Sequence, residues 1–168
     1  MRKVKLFIAS SLDGFIARED GSVNWLFSDL DYGYKKFYDS IDTVIMGRKT
    51  YEKSLELEKY PFQGKTGYVF TENTEMSKDN NIEFINDVLN FVNYLVKEEG
   101  KDIWLVGGSD IISILINANI LNEIILSIHP IILGSGIPLF KDVKREINLQ
   151  LLNSIKYDSG LMQMYYSI

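Results

Sequence analysis

Two cations stand directly behind a glycine in the run Asp42-Thr43-Val44-Ile45-Met46-Gly47-Arg48-Lys49-Thr50-Tyr51-Glu52. Thr43 to Met46 are β-branched or apolar and predict a buried strand, and Thr50 opens a helical spacing through Tyr51, Leu55 and Leu57. A strand that runs through glycine into a helix start leaves unpaired backbone N–H groups beside the positive end of the helix dipole. Anions bind at such a point, and Arg48 and Lys49 strengthen the preference. A tight βα turn with solvated Arg and Lys would carry the same letters. A second junction of this kind follows the apolar run Ile103–Val106, where Gly107-Gly108 precedes a helical pattern over Asp110–Asn117. It lacks the GxGxxG spacing, yet adjacent glycines let a backbone approach a ligand with no Cβ in the way. Either junction alone reads as a turn; the two together favour a dinucleotide or phosphate ligand.

The whole chain narrows the chemistry further. Its 168 residues can bury a substantial core as one domain, residues 1–168, and 46% apolar with 24% charged residues is a globular composition. A net charge of −5 argues against a broad nucleic-acid surface. With no cysteine there is no thiolate chemistry, and with His129 the one histidine there is no His-rich metal site. No stretch has the length of a membrane span and the first residues lack a signal-peptide pattern, so a cytoplasmic protein is expected.

Those junctions need strands and helices to hold them. Val4–Ala9 predicts a central strand, interrupted at Ser10–Gly14 and resumed at Phe15–Ala17. Arg18–Leu30 is a long loop carrying Trp25, and loops of that length are often functional, although an aromatic folded onto the core is the competing reading. Asp29 or Asp31 is placed to cap a helix over Tyr34–Ser40. Gly67–Thr71 and Ile82–Ile85 predict strands, Val88–Glu99 a helix stopped by Gly100, and Glu123–His129 another strand. The alternating runs Leu149–Tyr157 and Leu161–Ile168, hinged at Asp158-Ser159-Gly160, predict a C-terminal hairpin. Strands alternating with helices imply a mixed, mostly parallel sheet with helices on both faces and antiparallel edge strands at the end. Ligands of such sheets bind beyond the carboxyl ends of the strands.

Three segments, IASSLDGFIA (8–17), VIMGRKTYE (44–52) and IWLVGGSDI (103–111), together resemble the dihydrofolate reductase superfamily in order and spacing. SLDGFIA and HPIILGSGIPLF (129–140) are closer to the C-terminal reductase domain of the bifunctional riboflavin-biosynthesis enzyme, here in a stand-alone form. The resemblance implies that fold, a three-layer α/β sandwich. It implies that Gly47, Arg48, Lys49 and Thr50 hold the cofactor's phosphates, and that Gly107 and Gly108 are joined by a cis peptide beside it. Ser109, Asp110 and Ile111 would supply N–H groups to the pyrophosphate, Ala9 and Ile16 would line the nicotinamide, and Thr71 would contact the cofactor. Trp25 would sit on a loop closing over the reacting ring.

For chemistry the resemblance singles out Asp31 as the carboxylate that assists protonation of a substrate nitrogen, hydrogen-bonded by Ser127. An N-cap remains its competing role. Asp13 is either a turn former or a polar contact for substrate. Lys65 and Lys35 depart from the folate enzyme's arginine and stacking aromatic, and no proline precedes Trp25. Glu72 stands where a serine or basic residue often meets the 2′-phosphate of NADPH. NADPH is nevertheless expected, with NADH as the alternative. The implied activity is hydride transfer to a small pterin- or pyrimidine-like substrate, against a non-catalytic nucleotide-binding module. A homodimer is also expected, with the Leu161–Ile168 run either its pairing edge or an edge covered within the monomer.

Overall fold

The computed structural model describes residues 1–57, 60–72 and 82–168. In chain order the elements are β1 (Val4–Ser10), β2 (Phe15–Ala17), α1 (Tyr34–Ser40), β3 (Ile41–Gly47), α2 (Arg48–Leu57), β4 (Thr66–Phe70), β5 (Ile82–Ile85), α3 (Val88–Leu95), β6 (Asp102–Gly107), α4 (Ser109–Asn117), β7 (Leu121–Ile128), β8 (Ile137–Pro138), β9 (Gln150–Lys156) and β10 (Met162–Ser167). Eight strands form one sheet in the order β5-β4-β3-β6-β1-β7-β10-β9, and β2 pairs with β8 in a separate two-stranded sheet. From β5 to β7 every pairing is parallel, so six strands end at one edge; β10 runs antiparallel to both β7 and β9.

The apolar runs of β3 and β6 follow from burial on both faces. Successive side chains point to opposite sides, so Ile45, Ile103 and Leu105 join the core under α3 and α4, while Val44, Met46 and Trp104 join the one under α1 and α2. Ile112 and Leu115 of α4 fill the first core, Phe37 of α1 and Tyr51 of α2 the second. Trp104 is held on the α1 side by rings from Phe7, Phe37 and Phe62, and its indole N–H donates to the Phe7 carbonyl at 3.1 Å.

Three features differ from the sequence-based expectations. Helix α3 closes at Leu95, not Glu99, because Lys97 and Glu98 donate to carbonyls only three residues back and tighten the last turn. Strand β2 does not resume β1's sheet; it turns aside to meet β8, a strand of two residues that no periodicity could announce. Gly136, at φ +154°, permits that meeting, since a Cβ there would lie 2.3 Å from the Ala17 carbonyl oxygen. The run Leu161–Ile168 is not the sheet edge either. As β10 it lies between β7 and β9, and β9 is the outer strand. On that inner strand Gln163 is fully buried, and its side chain is satisfied by the Ser127 hydroxyl of β7 at 3.0 Å, the Tyr32 carbonyl at 2.9 Å and the Tyr165 hydroxyl at 2.7 Å.

Candidate active site

Strands β3 and β6 are parallel neighbours, with Met46 opposite Gly107. Each passes through glycine straight into a helix, α2 after Gly47 and α4 after Gly108. The two turns touch. A Cβ on Gly47 would lie 3.9 Å from the Gly108 nitrogen and 3.3 Å from Ile111 Cγ1, and a Cβ on Gly108 would lie 3.2 Å from Thr50 Oγ1. The Gly107–Gly108 peptide is cis, and Gly107 has φ +134°. The first hydrogen bond of α4 runs from Ile112 to the Gly108 carbonyl, leaving the N–H groups of Ser109, Asp110 and Ile111 ahead of the ladder. Gly108 offers no side chain to cap them.

Side chains around this cradle are partly committed. The Ser109 hydroxyl donates to the Pro138 carbonyl, so only its backbone faces the turn as a donor. Asp110, in the first turn of α4, is paired at 3.0 Å with Lys141, whose ammonium is held protonated above its ordinary range by that hydrogen bond and charge. Arg48 reaches Glu52 at 2.7 Å on the exposed face of α2, and Lys49 is exposed. Ala9 lies opposite Ser127 on the β1–β7 ladder, and Ile16 packs against the core beside it. Ile8 Cδ1 would be 3.9 Å from a Cβ on Gly107, so the end of β1 adjoins the cradle. Thr71 donates its N–H to the Ile85 carbonyl at 2.9 Å, and Glu72 beside it is exposed.

Asp31 and Ser127 are not brought together. The exposed Asp31 carboxylate accepts the Lys35 N–H at 3.1 Å, and its carbonyl accepts the Tyr34 N–H at 2.9 Å; both contacts tie down the first turn of α1. Left-handed conformations at Tyr32 and Gly33 turn the chain that way, and Gln163 occupies the Ser127 hydroxyl instead. Asp13 is likewise engaged by the protein. It accepts the Leu133 and Gly134 N–H groups at 3.1 and 2.8 Å and the Ser11 hydroxyl at 2.7 Å, stapling the loop after β1 to the loop after β7. Lys65 donates to the Ile41 carbonyl at 2.8 Å and stands over the Tyr38 ring at 4.3 Å.

Trp25 is only 8% exposed and lies edge-on against His129, with ring centroids 5.2 Å apart. Its indole N–H is buried and has no partner among the described residues. The Phe27 N–H donates to His129 Nε2 at 3.1 Å. Sequence reasoning used His129 only to exclude a metal site and passed over Gln163 altogether. The one signal for His129 was a solitary histidine at the end of a strand, beside Pro130.

A mostly parallel sheet, glycine-broken turns meeting at its carboxyl edge and a closing antiparallel pair define a dihydrofolate reductase-like α/β protein. The dihydrofolate reductase of Enterococcus faecalis, solved with NADP(H), superposes with a TM-score of 0.70 at 19% identity over 98% of this chain and 94% of that one. A putative riboflavin biosynthesis protein from Shewanella sp. PV-4 superposes more fully, with a TM-score of 0.86 at 22% identity over 98% of both chains. The RibD C-terminal domain model matches residues 62–163, and the chain belongs to that family. The uncharacterized Bacillus subtilis protein YwjB is 40% identical across 98% of this chain and 97% of its own length.

The Asp13 staple is acid-sensitive. Hydrogen bonds from Ser11 and from the Leu133 and Gly134 amides, Ser11's the strongest, hold its carboxyl below the ordinary carboxylate range. The clasp is therefore complete above the ordinary Asp value and is lost as pH falls through the lowered folded value. Amide exchange at Leu133 and Gly134, followed from neutral to strongly acid solution, should show protection disappearing below the ordinary Asp value. Asp13→Ala should show no such step.

Proposed function

We propose that this protein is an NAD(P)H-dependent reductase, with NADPH as the expected donor, acting on a small pterin- or pyrimidine-like heterocycle. One observation carries the reading: two glycine turns meet where a Cβ on Gly47 or Gly108 would crowd its neighbours, beside the start of α4, whose first N–H groups precede its hydrogen-bond ladder. That surface fits a pyrophosphate, which needs close backbone approach and convergent donors. Family membership supports it, as does the likeness to a reductase solved with NADP(H).

A bound reduced nicotinamide supplies the hydride. What the chain contributes is position and charge. Gly47, Thr50, Gly107, Gly108 and the amides of Ser109 to Ile111 seat the phosphates, with Arg48 and Lys49 as screening cations. Arg48 must turn from Glu52 to do so, which is inexpensive because an exposed pair is worth at most about 1 kcal/mol. Thr71 lies further along the same strand ends, on the adenosine side, and repulsion of a 2′-phosphate by the neighbouring Glu72 carboxylate is offset by Arg48 and Lys49, which keeps NADPH ahead of NADH. Ala9 and Ile16 flank the nicotinamide, with Trp25 and Ser127 bordering the substrate space. Asp31, exposed at the mouth, relays a proton through water. Asp13 positions the adjoining loops. Among the described residues no helix is long and apolar enough to cross a membrane.

The proposed homodimer uses β9. It is the outer strand at the antiparallel end of the sheet, nearly every residue of it is exposed, and Leu151 and Leu152 are each 54% exposed. An uncovered apolar edge of this kind is a pairing surface, and a second copy offers the same edge in reverse.

Arg48→Ala should weaken cofactor binding about tenfold or more, the worth of a charge-assisted hydrogen bond, without altering the unfolding midpoint. Unchanged affinity by fluorescence titration with NADPH and NADH would count heavily against the phosphate assignment. Asp31→Asn should lower kcat; a loss of roughly 1 kcal/mol of stability with kcat intact would leave Asp31 as a fastener of the first turn of α1 alone. Light scattering should give the mass of two chains, and a single-chain mass refutes pairing through β9.

A further inference from the structure

Phe27 sits on the segment between β2 and α1, yet its backbone N–H donates to a side chain on the far side of the sequence, His129 Nε2, at 3.1 Å. An imidazole nitrogen that accepts from an amide carries no proton. The ring proton must then lie on Nδ1, which faces the Ser127 carbonyl at 3.4 Å. The ring is also gripped from two sides, edge-on by Trp25 at 5.2 Å and obliquely by Phe27 at 4.9 Å. His129 is itself fixed, because its N–H donates to the Ser10 carbonyl at the end of β1 and its carbonyl accepts from Ile131. A single buried side chain at the end of β7 thus joins the Trp25 loop to the strand edge beside the cradle.

We propose that His129 is the positioning residue of the Trp25 loop, docking it over the carboxyl edge through an unprotonated Nε2 and releasing it when the imidazole takes up a second proton. A protonated ring would set an N–H against the Phe27 N–H and would hold its charge in a site shielded from water. Among the described residues no charged group faces the imidazole from the elements packed on it. Its neighbours are Ser10 on β1, Trp25 and Phe27 on the loop and Ser127 on β7, and the Asp13 carboxylate is turned to Leu133 and Gly134. Burial, partly opposed by the Ser127 carbonyl, lowers the His129 value below its ordinary 6.5. By linkage the clasp is intact above the ordinary value and lost as pH falls through the lowered folded one.

The effect on turnover rests on the reductase reading above; the docking itself does not, and it is tested on the free protein. Hydrogen exchange at the Phe27 amide, corrected for its intrinsic pH dependence, should rise in the wild type as the solution is acidified from neutral. His129→Gln, whose amide oxygen can accept the same N–H but does not titrate, should stay protected throughout. His129→Leu should lose protection at every pH by about tenfold, the size of one ordinary hydrogen bond. Equal exchange in all three proteins overturns the proposal. An acid response in His129→Gln matching that of the wild type does so as well, whether or not the leucine variant folds. If a reducible substrate is in hand, kcat/KM should follow the same acid limb in the wild type and not in His129→Gln. Failure of cofactor binding would sink the reductase reading while leaving the exchange result to stand.

Discussion

The closeness of two backbones governs this molecule. Where β3 and β6 end, a methyl group on Gly47 or Gly108 would press into Ile111 or Thr50, so the two strand ends and the two helices that follow are one packed unit. Much else follows from that contact. The parallel register between Met46 and Gly107 sets the height at which both helices begin. Ile111 closes the gap beneath them and is at the same time part of the core under α4. The two helix starts lie side by side because their strands are neighbours, not because any side chain directs them.

Around that rigid centre the polar side chains divide into those held by the protein and those free to turn outward. Asp13, Ser109 and Gln163 are bound to backbone or buried partners and act as fasteners between loops, helix and strand. Arg48, Lys49 and Asp31 lie at the surface, where reorganisation costs little. The architecture places its fixed chemistry in backbone amides and its adjustable chemistry in exposed charge. A binding surface built of amides has little side-chain entropy to lose when a ligand arrives.

How far the letters of the chain disclosed this depends on the range of the interaction. The buried strands β3 and β6 and the glycine turns after them were legible because apolar runs, glycine and helix polarity are local properties. The cis peptide at Gly107–Gly108 was implied by family resemblance and is present. Pairings made across the chain were not legible. Ser127 was matched to Asp31, but its hydroxyl meets Gln163, which arrives on a strand laid down 36 positions later. His129 gains its partner from a loop 102 positions away, and nothing near it in sequence announces that. The edge strand was left open for a related reason: β9 and β10 alternate alike, and nothing local says which of them pairs with β7.

The chain's two tryptophans occupy opposite kinds of site. Trp104 is locked into the sheet by its hydrogen bond to Phe7 and by a cage of neighbouring rings, whereas Trp25 rests on a histidine with its indole nitrogen unsatisfied among the described residues. One indole is therefore part of the frame and the other is a passenger on a loop, so undocking that loop would rehydrate the second and leave the first in its cage.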